Sequence, residues 1–329
     1  MNHYKIGEIL VEPGSKRFDY LKVEEATTLR TFQYKTVIGP PRQRAVLIPL
    51  MVVNGLKPGP TLCINAGVHA TEYTGIEAII RLFREIDPTK IEGTLLLLPI
   101  VNVASFWTMT PYVNIQDGVD ISTVYGSKGN TVSYLIANTI MEKVFSRSDL
   151  IIDFHAGDLL EELLPHCGFS RIGEKKVDEK TEMYAKAFGL EFIHMSENQE
   201  RIGRYLLDIP QIYVEIGCCG KLEDKNVRLA LKGIDNIMKK MKMVEEDPST
   251  PEYIKIMKTG DYIYTSSSGI FLSKANVGDE IEKGQLLGEI MNIQGEIIEK
   301  IIAPSNGTIF LKMFNPVKLA GDLIYKCIK

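Results

Sequence analysis

Four residues able to do hydrolytic chemistry stand where apolar runs end: His69, Glu72, His155 and Glu215. His69 lies three positions before Glu72 in NAGVHATEYTG, residues 65–75, which follows the run Pro60 to Ile64. His155 closes LIIDFH, and Glu215 stands in IPQIYVEIG. An imidazole and a carboxylate at that spacing, where a strand turns into a helix, can face one ion. Zinc takes such nitrogen and oxygen donors, and catalytic zinc sites usually combine three protein ligands with a water. His155 is the candidate third ligand for one zinc ion per chain. Glu215 is the candidate base, because burial raises a carboxylate's pKa into the range useful for moving a proton.

Each residue alone also has a plainer reading. Histidine and glutamate meet three apart by chance in many helices. A histidine after a strand is often a satisfied core or loop residue, and Glu215 could partner a buried arginine. The metal reading draws its force from coincidence, since all these residues fall at the ends of strands of one sheet.

The elements that must position them follow from the apolar pattern. Thr61 to Ile64, Thr94 to Ile100, Leu150 to Phe154 and Ile209 to Ile216 are short continuous apolar runs. Such runs mark strands buried on both faces of a largely parallel sheet. Between them, Glu72 to Ile86, Thr131 to Phe145, Glu179 to Phe188 and Asp224 to Met243 read as helices. The alternation predicts an α/β domain, in which ligands collect beyond the carboxyl ends of the strands. Val244 to Pro251 is charged and proline-bearing and reads as a linker. After it, short β-prone runs and regularly placed glycines predict a small all-β domain. The expected organisation is an α/β domain over 1–247, with an N-terminal β extension over 1–55, and a β domain over 252–329. The charged run Gly173 to Lys180 is expected to be solvated.

The 329 residues carry a formal net charge of -4, which gives no basic footprint for nucleic acid. No apolar stretch reaches the length of a membrane span. The N-terminus, MNHYKIGEIL, has charges where a signal peptide has its apolar segment. Five scattered cysteines without a C-x-x-C pair fit a reducing cytoplasm and argue against a cysteine-based zinc site. The expected partner is a small acylated amine. Homo-oligomerisation is left open.

NGLKPGPTLCINAGVHATEYTGIEA, LLLLPIVNVASF, LIIDFHAGDLLEELLP and IPQIYVEIG together resemble the succinylglutamate desuccinylase/aspartoacylase family, relatives of the zinc carboxypeptidases. The resemblance runs from about residue 40 onward, and the ordered G-x-H-x-x-E, D-[LF]-H and E-x-G elements carry it. It implies a zinc-carboxypeptidase-like fold with a central mixed, largely parallel sheet. It implies His69, Glu72 and His155 as zinc ligands, and Glu215 as the base acting on a zinc-bound water. The implied reaction is hydrolysis of a linear amide other than a peptide bond, in an N-acyl amino acid or related acyl amine.

The chain departs from the family between Phe106 and Gly126. Thr110 stands where an arginine is expected, and Ser122 and Thr123 stand where an Asn-Arg pair is expected. In the family those arginines help hold the substrate carboxylate and the oxyanion, and losing one oxyanion donor can cost about 10²–10³ in turnover. Two readings follow: a hydrolase whose substrate lacks the usual carboxylate, or a catalytically impaired zinc- or ligand-binding protein on the same scaffold. Arg204, Arg201 and Lys128 are candidate replacement cations. Asp158, Glu161 and Glu162 are candidates to line the mouth and favour a cationic substrate, or else form a solvated loop. Arg204, Asp158 and Thr123 are the substrate-binding candidates. The C-terminal stretch resembles a biotinyl/lipoyl domain, but Met291-Asn292-Ile293 offers no lysine for a cofactor. That implies a lid or assembly module.

Overall fold

The computed structural model describes residues 3–6, 8–23, 46–196, 208–257 and 260–329. The apolar runs form the middle of a nine-stranded mixed sheet. From one edge its order is Lys255–Met257, Phe192–Ser196, His166–Ser170, Gln211–Glu215, Leu150–His155, Lys57–Asn65, Glu92–Leu98, Val46–Asn54 and Ser15–Val23. The strands from Gln211–Glu215 to Glu92–Leu98 run parallel to one another. His166–Ser170 and Val46–Asn54 flank them antiparallel.

Alternation within each run sends side chains to two cores. Leu62, Ile64, Ile152 and Phe154 pack on one face beneath the helices Tyr73–Glu85 and Asp224–Lys240. Cys63, Leu96, Leu98 and Ile151 pack on the other face, against Ile136 and Ile140 of the helix Val132–Lys143. Both faces are covered, which is why these strands carry no polar alternation.

The register brings the strand ends level. Asn65 aligns with Leu98 and Asp153, and Glu215 aligns with His155. Two glycines let the chain turn there. Gly67 has φ +66, and a Cβ on it would lie 3.0 Å from Ile100 Cα. Gly75, in the first turn of Tyr73–Glu85, faces Phe154; a Cβ would lie 2.4 Å from the Phe154 Cβ. Only glycine lets that helix close onto the strand that ends in His155.

Some boundaries differ from the sequence reading. The helix expected from Glu179 begins at Lys175, inside the charged run. The Asp178 carboxylate accepts hydrogen bonds from the Ile172 and Gly173 amides, which ties the helix entry down. His166–Ser170 and Phe192–Ser196 are strands without a strong apolar signal, held by their ladder partners. Lys255–Met257 lies just past the linker-like stretch and pairs in parallel with Phe192–Ser196 at the edge of the large sheet.

Beyond it, two small sheets enclose a separate apolar core. One contains Gly260–Tyr264, Leu323–Ile328, Gly307–Met313 and Glu280–Ile281; the other contains Ile297–Ile302, Leu286–Met291, Gly269–Ser273 and Val317–Lys318. Gly307–Met313 also pairs antiparallel with Glu161–Leu163, a short strand from the loop after His155. The Asn292 carboxamide accepts from the Gln294 and Glu296 amides and so closes its own hairpin. Among the described residues, no helix is long and apolar enough to cross a membrane.

Candidate active site

At the carboxyl end of the parallel strands, His69, Glu72 and His155 converge. One donor atom of each lies within 4.8 Å of the others. The Glu72 carboxylate bridges the imidazoles, with Oε1 2.9 Å from His69 Nδ1 and Oε2 3.0 Å from His155 Nδ1. Glu72 is the N-cap residue of Tyr73–Glu85, so its side chain starts from the turn that carries His69. Glu72 and His155 are buried, at 4% and 2% exposure.

The far nitrogens meet two further carboxylates. His155 Nε2 is 3.1 Å from Asp153 Oδ2, and His69 Nε2 is 3.4 Å from Asp120 Oδ1. Asp153 is itself held by Asn65, whose Nδ2 donates to Oδ1 over 2.7 Å. His155 Nε2 is within hydrogen-bonding reach of Asp153, whereas His69 Nε2 meets Asp120 only at ion-pair distance, and the Nδ1 atoms of both rings face Glu72. Carboxylates placed behind metal-binding imidazoles in this way fix their tautomer and orientation. Two imidazole nitrogens and a carboxylate oxygen, converging with Glu72 and His155 buried and His69 partly buried, are a donor set that suits zinc.

Each of these groups shifts the charge state of its neighbours. Burial pushes the His69 imidazole down, but Asp120 and Glu72 outweigh it and raise its pKa to about 9. His155 is likewise opposed by burial, yet Asp153 and Glu72 hold it well above its ordinary value. Burial raises Glu72, and the two imidazoles more than reverse that.

Glu215 ends its strand directly beside His155 in the ladder and is 9% exposed. It acts electrostatically on Glu161, together with Glu72 and Asp158. Asp158 is 1% exposed, with Oδ1 accepting from the Thr71 hydroxyl and the Leu159 amide. The Thr123 hydroxyl donates to the Asp120 carbonyl at 2.8 Å. The Thr110 hydroxyl lies 2.9 Å from that of Thr108. Arg201 and Arg204 lie outside the described residues.

Sequence reasoning passed over Asp120, Asp153 and Tyr112. Asp153 carried a usable signal, because it precedes His155 by two in a strand and so shares its face. Asp120 falls in the segment Phe106 to Gly126 already compared with the family, and Tyr112, in the loop after Thr108, carried no signal. Tyr112 has φ 57, a left-handed backbone uncommon for a bulky residue. Its ring packs edge-on to His69 at 5.5 Å, and its hydroxyl donates to Glu161 Oε1 at 3.1 Å.

The sequence model of the succinylglutamate desuccinylase/aspartoacylase catalytic domain matches residues 58–241. The chain is 22% identical over 292 residues to the N-alpha-acetyl-L-2,4-diaminobutyric acid deacetylase of Halomonas elongata, covering 85% of each protein. The fold is similar to that of succinylglutamate desuccinylase/aspartoacylase from Rhodobacter sphaeroides, with a TM-score of 0.81, 21% identity and 95% of each chain covered. It is also similar to the product-bound ectoine utilization protein EutE (DoeB) of Ruegeria pomeroyi, with a TM-score of 0.85, 18% identity and 98% of each chain covered.

Proposed function

Because the chain belongs to the succinylglutamate desuccinylase/aspartoacylase family, we propose that it is a zinc-dependent amidohydrolase. Its substrate is an N-acyl amino acid or a related acyl amine, cleaved by water to a carboxylic acid and a free amine. The observation that carries this reading is the convergence of His69, Glu72 and His155 beside Glu215. The relative named for acetylated diaminobutyric acid supports the choice of an acyl amine.

His69, Glu72 and His155 would hold one dication per chain. When bound, such an ion polarises the scissile carbonyl and acidifies water. Glu215 takes the proton of the attacking water and returns it to the leaving amine nitrogen. Asp120 and Asp153 keep the imidazoles aligned while charge builds in the site. Burial of Glu72 and His155 excludes bulk water, which strengthens every charge interaction there.

The rival reading is a protein that binds an acyl amine without cleaving it. Its support is that neither Thr110 nor Thr123 supplies a cation, and both hydroxyls are taken up locally. Turnover of N-acetyl, N-succinyl and N-formyl amino acids and amines by the zinc-loaded protein separates the two. Glu215→Gln is expected to lower kcat by at least about 10² while leaving metal stoichiometry unchanged. Equal turnover by the variant would remove Glu215 from the chemistry. No turnover by the parent, with zinc bound, would favour the binding protein.

A further inference from the structure

We propose that Glu161, with the buried Asp158 behind it, recognises a second, protonated nitrogen on the amine half of the substrate. The proposal rests on the hydrolase reading and narrows its substrate class to acylated diamines and diamino acids.

The loop after His155 offers two adjacent glutamates, and the ladder decides between them. Glu162 aligns with Lys312 of Gly307–Met313, and the two side chains pair at 3.3 Å. Glu161 aligns with Met313, and its carboxylate accepts instead from Tyr112, the residue packed on His69. Neighbours in a strand point to opposite faces. One glutamate is therefore neutralised by the C-terminal unit, and the other is delivered to the site.

Among the described residues, Glu215, Glu72 and Asp158 all act on Glu161 with negative charge. The charges acting on Tyr112 are likewise Glu161, Asp158 and Glu72. Asp158 makes the excess explicit. Both of its partners, the Thr71 hydroxyl and the Leu159 amide, bind Oδ1. Its Oδ2 is buried without a hydrogen-bond partner among the described residues. A buried carboxylate oxygen left this way is costly, and a nearby cation would offset the cost.

A metal ion does not remove the imbalance. Among the described residues, Glu72, Asp120 and Asp153 already contact the two imidazoles, so a dication bound there is met by three carboxylates before Asp158 and Glu161 are counted. A pocket with that excess attracts a cationic ligand and repels an anionic one. Burial, partly countered by Tyr112 and reinforced by the neighbouring carboxylates, raises Glu161 in the free site; an ammonium beside it would restore its charge.

The test compares substrates in which a methyl group replaces the ammonium. N-acetyl-1,4-diaminobutane is paired with N-pentylacetamide, and Nα-acetyl-2,4-diaminobutyrate with N-acetylnorvaline, all with the zinc-loaded full chain. In each pair the cationic member is expected to have the higher kcat/KM, by roughly 10–100-fold for a charge-assisted hydrogen bond. Glu161→Gln is expected to bring that ratio close to one, and Asp158→Asn to lower it less. A parent ratio of one, or a ratio unmoved by Glu161→Gln, overturns the proposal. The same pairing is run as calorimetric binding of 2,4-diaminobutyrate against norvaline. If no amide is cleaved but the diamino acid binds more tightly, and the preference disappears in Glu161→Gln, the subsite stands and the hydrolase reading falls. Equal affinities sink the subsite whatever the turnover.

Discussion

The imidazoles of His69 and His155 each lie between two carboxylates. Glu72 is shared, while Asp120 and Asp153 stand behind one ring each. Without metal, this surplus of negative charge holds both rings protonated at neutral pH, with His69 at about 9 and His155 well above its usual value. A metal ion needs the neutral ring, so uptake must expel those protons. Zinc binding at pH 7 is expected to release about two protons, and fewer as the pH rises through and beyond 9. Apparent affinity should accordingly weaken toward acid pH. Calorimetry in buffers of different ionisation enthalpy measures the release directly. Uptake without proton release would mean that the two histidines are not the ligands.

At the scale of elements, the site depends on how closely one helix approaches one strand. Gly75 faces Phe154, and a Cβ there would meet the Phe154 Cβ at 2.4 Å. In an open helix, Gly→Ala stabilises by up to about 1 kcal/mol. Here overpacking, at about 1–3 kcal/mol, should win. Gly75→Ala is therefore expected to lower stability in denaturant titration. It should also weaken metal binding, because Glu72 leaves the same turn and must meet His155 across that contact. A stabilised variant would show that the helix has room to move. The helices and central strands were readable because each apolar run is local. The strands His166–Ser170 and Phe192–Ser196 were not, since their identity comes from partners far along the chain.

At the scale of the whole molecule, the C-terminal unit is joined to the site by a ladder rather than by a tether. Leu163, Glu162 and Glu161 pair with Leu311, Lys312 and Met313. The junction is extended by bonds from the Leu164 amide to the Phe310 carbonyl, at 3.0 Å, and from the Phe314 amide to the Leu160 carbonyl, at 2.6 Å. Slipping this pairing by one residue would exchange the faces of Glu161 and Glu162. Lys312→Glu sets like charges opposite each other across the ladder, which disfavours the native register. It is expected to lower kcat/KM roughly tenfold or more, as displaced site groups do, although Lys312 lies on the C-terminal unit. Unchanged kinetics in that variant would mean that the ladder does not position Glu161.

The amino-acid sequence alone determined the parallel core and the positions of His69, Glu72, His155 and Glu215 at strand ends. Apolar runs, turns and spacing are properties of neighbouring residues, and burial in a parallel sheet leaves few alternatives for them. Only the tertiary structure decided which carboxylates stand behind the imidazoles, that Tyr112 reaches Glu161, and that Glu162 rather than Glu161 pairs with Lys312. Those choices follow from register and loop path between segments distant in the chain, and no local pattern of residues specifies either.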